Sequence, residues 1–335
     1  MRPRHAALES HPVSDPFAAD PIVVEVVRNG LVESVHHARV AVTGPGGDLI
    51  GSIGAVDAVM YPRSALKPLQ VVAMVGDGLD LPDDLLALVA ASHSGEQIHL
   101  DGARRILDSA GLTEDALQTP PDWPADEQAK IAQIRAGADQ SRIFMNCSGK
   151  HAGMLATAVR NGWSLADYRD PAHPVQLSAR GTIADLSGET PTRIAVDGCG
   201  APAFAITLTA LARSFGRLAT ATDGPERRVA DAIRAHPEMT SGTRRDEYDL
   251  HRAIPGLITK AGAEAVQAVG LPDGRGVAIK ITDGTPRARA VVTATVLQRL
   301  GFAHPTLDAQ ASVAVLGHGE PVGAIVVRAD ELAGL

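Results

Sequence analysis

The sequence of 335 residues is poor in aromatic residues, in cysteine and in lysine. Aromatic residues make up 3% of the chain, so stacking platforms for bases or sugars are not expected. Two cysteines are too few for a disulfide framework. A net charge of −8 argues against a broad surface for nucleic acid. The 45% of hydrophobic residues predict a soluble globular protein with an aliphatic core.

Long apolar segments are also missing. No run approaches the roughly 18 apolar residues of a membrane-spanning helix, so no membrane association is expected. Residues 1–20 lack the apolar segment of a secretion signal and offer little to bury, which predicts a loose tail. Together with the low cysteine content, this predicts a cytoplasmic protein. Residues 21–332 are expected to form a single domain.

The predicted strands lie near both ends of the chain. They cover residues 22–28, 38–42, 49–53, 193–196, 276–281 and 322–327. Helical spacing of apolar residues covers much of the sequence between them, with a helical insertion at about residues 75–190 and a helix at 203–215. This order predicts an α/β protein of the α+β type, with an antiparallel sheet from both chain ends and a layer of helices. A dinucleotide-binding fold is disfavoured, because regular βαβ alternation and a Gly-x-Gly-x-x-Gly turn are missing.

Lysine is rare but its placement is informative. Five lysines stand beside twenty-six arginines, and four of the five lie in segments rich in reactive or turn-forming residues. These are Lys67, Lys150, Lys260 and Lys280. Arginine cannot replace lysine where the amine must lose its proton, so these lysines are candidates for chemistry. A surface salt bridge beside a turn is the alternative for Lys260 and Lys280.

Ser64 and Lys67 have the i, i+3 spacing of a Ser-x-x-Lys unit where a helix begins. This spacing puts a hydroxyl and an amine on one face, and a partly desolvated lysine can act as the base for the serine. Serine β-lactamases use such a unit. The alternative is a serine N-cap followed by a solvated lysine, and Pro68 fits that reading because proline is tolerated near a helix start.

Two further polar segments follow apolar elements. In residues 91–96, Ser92 would be a second hydroxyl and Glu96 a ligand for a substrate ammonium, or the segment is an ordinary helix end. Asp197 stands between a strand and two glycines, where it would bind a substrate ammonium or close an Asx-turn. Both readings stay open for each segment.

Both cysteines of the chain lie in tight polar turns, where inert core cysteines rarely sit. Cys147 precedes Ser-Gly-Lys-His, and Cys199 lies between two glycines. Their separation is too long for a zinc-finger knuckle. A soft zinc site of both thiols with Lys150 or His151 nearby is chemically feasible, and a nucleophilic thiol is the alternative.

In their order along the chain, these segments resemble the rhizobial-type, thermolabile class of L-asparaginases. The matching pieces include RSALKPLQ (63–70), SHSGE (92–96), CSGKHAGM (147–154), VDGCGAP (196–202), MTSGT (239–243), KAGAE (260–264) and GVAIKITDG (276–284). The resemblance covers nearly the whole chain after the tail. It implies a fold similar to serine β-lactamases and related glutaminases, and hydrolysis of the side-chain amide of L-asparagine by a homodimer. Ala38 and Ala265 depart from the glycines expected in relatives, which restricts the backbone at two turns.

The resemblance also implies roles for individual residues. Ser64 with Lys67, and Ser92 with Lys260, would form two catalytic Ser–Lys pairs. Zinc would be held in a supporting role by Cys147, Lys150 and Cys199, and no organic cofactor is implied. The predicted substrate-binding residues are Arg63, His93, Glu96 and Asp197.

Two other classes of function remain compatible with the residues. A β-lactamase-like or peptide acyl hydrolase would use the same Ser64–Lys67 unit and should be acylated by β-lactams. A non-catalytic protein that binds zinc or an amino acid would bind asparagine without releasing ammonia.

Overall fold

The computed structural model describes residues 20–328, 330–332 and 334–335. The predicted tail therefore lies outside the described residues except for Asp20, which is buried and pairs with Arg39 at 2.7 Å. The strands are β1 (Ile22–Arg28), β2 (Leu31–Thr43), β3 (Leu49–Ile53), β4 (Ile194–Val196), β5 (Pro202–Phe204), β6 (Ile258–Gly262), β7 (Val266–Gly270), β8 (Gly276–Ile281), β9 (Ser312–Gly317) and β10 (Glu320–Val327).

The helices occupy most of the chain between β3 and β6. They are α1 (Lys67–Gly76), α2 (Asp83–Val89), α3 (Gln97–Ser109), α4 (Glu127–Arg135), α5 (Ser148–Asn161), α6 (Pro174–Ser187), α7 (Leu208–Ala219), α8 (Gly224–Ala235), α9 (Pro237–Thr240), α10 (Asp246–Ala253), α11 (Arg289–Arg299) and α12 (Pro305–Ala311). A 3-10 turn at Arg63–Leu66 leads directly into α1. None of the helices in the described part of the chain combines the length and apolarity that a membrane crossing requires.

The main sheet confirms the predicted fold class. Within the described residues its strand order is β6-β7-β8-β2-β1-β10-β9, with β3 paired to the second half of β2, and all pairs are antiparallel. Strands from the beginning and the end of the chain therefore meet in one sheet. The short strands β4 and β5 form a separate hairpin.

Helices cover both faces of this sheet, and alternation along each strand separates two cores. On β2, Ala41 packs with the large layer of helices from α1 to α8, whereas Val40 and Val42 face the smaller layer of α10 to α12. On β8, Ala278 packs with the large layer, whereas its neighbours Val277 and Ile279 face the smaller layer. This is the period-two pattern of a strand buried on both sides.

One helix begins later in the structure than the sequence predicts. Residues 203–215 were expected to be helical, but residues 202–204 form β5 and α7 begins at Leu208. Thr207 caps α7, because its hydroxyl accepts a hydrogen bond from the Ala210 N–H at 3.0 Å. Ala265 is one of the two positions where glycine is expected in relatives. It has a φ of +53°, so an alanine occupies a backbone conformation that favours glycine.

The edge strand β6 lies directly against the turn that carries Ser64. A Cβ atom on Gly262 would stand 2.2 Å from the Pro62 carbonyl oxygen, so only glycine permits this approach. Ile258 packs with the large helical layer, and Lys260 shares its face because side chains alternate along a strand. The fold thus directs Lys260 toward the start of α1.

Candidate active site

Four of the five lysines are buried, and they are the four that the sequence singles out. The exposed fractions are 1% for Lys67, 2% for Lys150, 0% for Lys260 and 8% for Lys280, whereas Lys130 is exposed. Lysine is almost never fully buried unless it is paired, because a desolvated charge is costly. The rare lysines of this chain therefore occupy positions with specific polar partners.

Lys67 connects the start of α1 with the segment that follows α2. Its Nζ donates a hydrogen bond to the hydroxyl of Ser92 at 2.9 Å and another to the carbonyl oxygen of Ala91. The resemblance pairs Lys67 with Ser64, but the hydroxyl that the structure places on Lys67 belongs to Ser92. The reason is that the lysine side chain crosses to the neighbouring helix end, whereas Ser64 lies in the 3-10 turn one turn earlier.

Lys260 lies beside a buried carboxylate. Its Nζ is 3.3 Å from Oε1 of Glu247 and donates to the Ala261 carbonyl oxygen at 2.8 Å. Burial lowers the pKa of Lys260 to about 8; Glu247 opposes this shift, while Lys67 adds to it. The pKa of Glu247 falls to about 2, because Lys260 and other nearby cations outweigh the effect of its burial. Lys260 can thus lose its proton near neutral pH while Glu247 stays ionised.

One cavity brings most of the predicted catalytic residues together. Its volume is about 210 Å³, below the roughly 300–1,000 Å³ of pockets for drug-sized ligands, which suits a small substrate. Its lining residues are Ser64, Ser92, Asn146, Arg245, Glu247, Lys260, Ala261, Gly262, Ala263, Pro286 and Arg289. Two hydroxyls, a lysine with a lowered pKa and several charged groups therefore face one small space.

Glu96 does not line this cavity but fixes a neighbouring segment. Its carboxylate accepts hydrogen bonds from the backbone N–H of Thr243 at 2.9 Å and from the Thr243 hydroxyl at 2.8 Å. Ser94 donates to the carbonyl oxygen of Ser241 at 2.8 Å. Gly242, with a φ of +131°, would place a Cβ 2.3 Å from the Ser94 hydroxyl. Residues 92–96 thus hold residues 239–243 in place.

His93 also lies outside the cavity lining. Its ring is fully buried, its Nε2 is 2.8 Å from the hydroxyl of Ser148, and it stacks on His99 with centroids 5.3 Å apart. Burial lowers the pKa of His93 well below its usual value, and the nearby His99 and Lys67 add to this effect. A neutral His93 supports the start of α5 rather than facing the open site.

The predicted substrate ligands Arg63 and Asp197 bind each other. Nη2 and Nε of Arg63 donate to Oδ1 of Asp197 at 2.6 and 2.8 Å. Arg63 has a φ of +54°, a strained conformation for a residue with a side chain. Arg63 precedes Ser64 directly, so the ion pair joins the loop after β4 to the turn that carries the serine.

Lys280 stands apart from the two serines. Its Nζ donates to the carbonyl oxygens of Glu264 and Ile281, both at 2.6 Å. It lines a second cavity of about 310 Å³, which Arg63 and Glu264 share. Its contacts support the turn after β6.

The three predicted zinc ligands converge in the interior. Cys147 and Cys199 are 3% and 1% exposed, and Nζ of Lys150 lies 3.4 Å from Sγ of Cys199. Next to them, Nε2 of His151 is buried without a hydrogen-bond partner. No three His, Cys, Asp or Glu side chains among the described residues form a metal-binding group. A site here would therefore need Lys150 as a neutral amine beside the two cysteine sulfurs, and thiolate sulfur is a ligand that zinc prefers.

The charge states of this cluster are strongly coupled. The Cys199 thiol has a pKa far below its usual range, because Cys147 donates a hydrogen bond to it and Lys150 attracts its thiolate. The Cys147 pKa is raised by the same hydrogen bond and by burial. Burial acts to lower the pKa of Lys150, but the sulfurs of Cys199 and Cys147 outweigh it and the pKa rises. These shifts favour a thiolate on Cys199, the form that binds metals, beside an ammonium on Lys150, so a metal bound here would have to displace the proton of Lys150.

Four polar or charged residues of the cavity lie outside every set that the sequence predicts. They are Asn146, Arg245, Glu247 and Arg289. Glu247 is 1% exposed, although in the sequence it belongs to a run of charges at 244–247 that is typical of a solvated surface. The available signal was the position of this run directly after the MTSGT segment. Burial of Glu247 depends on contacts made elsewhere in the chain, so the pattern alone did not reveal it.

Comparison with known proteins gives one strong match. The model of a family described as L-asparaginase II matches residues 24–327. No curated protein matches the chain. Among solved structures, Mglu in its native form is 17% identical, with a TM-score of 0.44 over 86% of this chain and 70% of Mglu.

Two further structures are similarly distant. A Bacillus glutaminase is 13% identical, with a TM-score of 0.45 over 79% of this chain and 91% of the glutaminase. A β-lactamase from Mycobacterium bovis is 16% identical, with a TM-score of 0.41 over 74% of this chain and 88% of the β-lactamase. The chain spans 60% of the length of Mglu in two other Mglu structures. The fold assignment rests on the sheet topology itself.

Proposed function

The chain belongs to the L-asparaginase II family, and from this premise we propose that it hydrolyses the side-chain amide of L-asparagine to L-aspartate and ammonia. The observation that carries the proposal is the small cavity that Ser64, Ser92 and Lys260 line together. Lys67 is hydrogen-bonded to Ser92 at its wall. Acyl transfer needs a nucleophile and a base that can be neutral near physiological pH, and this cavity contains both.

In the proposed first half-reaction, the Ser64 hydroxyl oxygen attacks the amide carbon. Its proton passes to Ser92 and on to Lys67, a route supported by the 2.9 Å contact between Lys67 and Ser92. The carbon–nitrogen bond then breaks, and the nitrogen leaves as ammonia after taking up a proton. The product of this step is an ester of Ser64 with the substrate side chain.

In the second half-reaction, water cleaves this ester. We propose that neutral Lys260 accepts the proton of the attacking water, because its pKa of about 8 leaves a useful neutral fraction at physiological pH. Glu247 holds the Lys260 amine in position through their 3.3 Å contact. Aspartate leaves, and Ser64 regains its proton.

The function is tested by measuring ammonia release from L-asparagine and L-glutamine and, in parallel, acylation of the protein by a β-lactam. Turnover of asparagine without acylation by the β-lactam is the expected result. Rapid acylation by the β-lactam without asparagine turnover would point to an acyl hydrolase of another class. Binding of asparagine without ammonia release would point to a non-catalytic protein.

The rate should depend on pH through Lys260. Because the base must be neutral and its pKa is about 8, kcat should fall about tenfold per unit as pH drops below that value. Above it the rate should level off. Single-turnover rates of aspartate release between roughly pH 6 and 10 measure this dependence. A flat profile, with hydrolysis of the ester shown to be rate-limiting, would exclude Lys260 as the base.

We also propose that zinc binds at Cys147, Lys150 and Cys199. Bound zinc would supply a fixed positive charge that holds substrate and neighbouring loops rather than generating the attacking water. Cys147 and Lys150 flank the start of α5, and Cys199 follows β4. Metal binding would therefore fasten α5 to the loop that carries Asp197.

Metal analysis of the reduced protein should find about one zinc per chain, the occupancy of a single structural or supporting site. Cys147→Ser and Cys199→Ser should lower the zinc content and raise the KM for asparagine. Ser64→Ala is the control, because Ser64 lies in the cavity and should leave the zinc content unchanged. A zinc-free wild-type protein with full activity would refute the metal proposal.

A further inference from the structure

Arg245 is the one cavity-lining cation among the described residues that lacks a carboxylate partner. Lys260 pairs with Glu247 at 3.3 Å, and Arg289 pairs with Asp246 at 2.9 Å. Arg245 forms no salt bridge with any described residue. Its Nη2 makes only a long hydrogen bond of 3.4 Å to the Ser92 carbonyl oxygen, and its Nε is buried without a partner.

The fold fixes Arg245 at this position from both sides. Residues 239–243 are held by Ser94 and Glu96, as described above, and α10 begins immediately after Arg245 at Asp246. The guanidinium is therefore carried by a short link between two anchored elements. It donates a hydrogen bond to the carbonyl oxygen of Ser92, whose hydroxyl accepts the hydrogen bond from Lys67.

The charges around the cavity leave Arg245 uncompensated. The carboxylates of Glu247 and Asp246 each face another cation, so neither is fully available to Arg245. An unpaired guanidinium with a buried nitrogen is unfavourable unless an anion completes its hydrogen bonds. Arginine matches a carboxylate especially well, because its planar fork donates two parallel hydrogen bonds.

We propose that Arg245 binds the α-carboxylate of the substrate and so selects amino-acid amides over amides without a carboxylate. The inference rests on the proposed function, since it assigns the anionic end of L-asparagine to this residue. The amide end then lies toward Ser64 and Ser92. Arg63, which the sequence suggested as a substrate ligand, is already bound to Asp197.

The test compares L-asparagine with 3-aminopropanamide, which keeps the amine and the amide but has no carboxylate. In Arg245→Gln, kcat/KM for asparagine should fall about ten- to a hundredfold, the usual effect of losing a charge-assisted hydrogen bond to an anion. The value for 3-aminopropanamide should change little, and Arg245→Lys should restore part of the loss. An equal fall for both substrates would indicate a structural role and overturn the proposal.

Arg244→Gln is the matched control. Arg244 is the preceding residue, is exposed and pairs with Asp126 at 2.5 Å outside the cavity, so its loss should leave both substrates unaffected. Calorimetry with L-aspartate separates this inference from the proposed function. Binding to wild type that weakens about tenfold or more in Arg245→Gln supports the carboxylate anchor even without turnover. Equal affinities, or no binding to wild type, overturn it.

Discussion

Ser64→Ala is expected to reduce ammonia release from L-asparagine by about a hundredfold or more, because loss of an activated nucleophile typically costs at least that much. The loss should appear in kcat, since the hydroxyl forms its bond only during the reaction. The KM should change little, because neither the cavity wall nor its charges are removed. Steady-state kinetics with a coupled ammonia assay measures both values.

Ser52→Ala is a suitable control, since Ser52 is exposed on β3 and is not one of the residues that line the cavity. It should retain full activity. Ser92→Ala should also lower kcat, because Ser92 carries the hydrogen bond to Lys67. If correctly folded Ser64→Ala kept near wild-type turnover while Ser92→Ala did not, the nucleophile would be Ser92 and the assignment of Ser64 would be wrong.

Lys67→Met should lower kcat by about a hundredfold or more as well, because it removes the proposed base of the acylation step. Methionine has a similar length but cannot accept a proton. The variant should fold, since an apolar side chain at a buried position relieves the cost of a desolvated charge. Thermal unfolding checks the fold, and the ammonia assay checks the activity.

Lys130→Met provides the matched control for this lysine. Lys130 is exposed on α4 and is the one lysine that lies outside the segments selected from the sequence. Its replacement should leave the rate and the pH profile unchanged. Substantial activity in Lys67→Met, with a folded state as stable as that of wild type, would contradict the role of Lys67 and leave Lys260 as the base for both half-reactions.

Part of this site could be predicted from local sequence. Arginine cannot supply a neutral amine, so the few lysines retained in polar segments could be identified from the sequence as candidates for chemistry. The strand-forming segments at both chain ends predicted the antiparallel sheet, because period-two alternation is a local property. The Ser-x-x-Lys spacing likewise places Ser64 and Lys67 one turn apart without reference to the rest of the chain.

Contacts between distant segments decided the remainder. Lys67 contacts Ser92, twenty-five residues away, rather than the nearby hydroxyl, and Glu96 and His93 support the site instead of lining it. The charged run at 244–247 is divided between the surface and the cavity: Arg244 pairs outside with Asp126, whereas Arg245 and Glu247 face inward. Spacing restrains side chains only within a turn or across a strand. The packing of the helices on the sheet decides which carboxylate pairs with which cation, and which cation stays without a carboxylate partner.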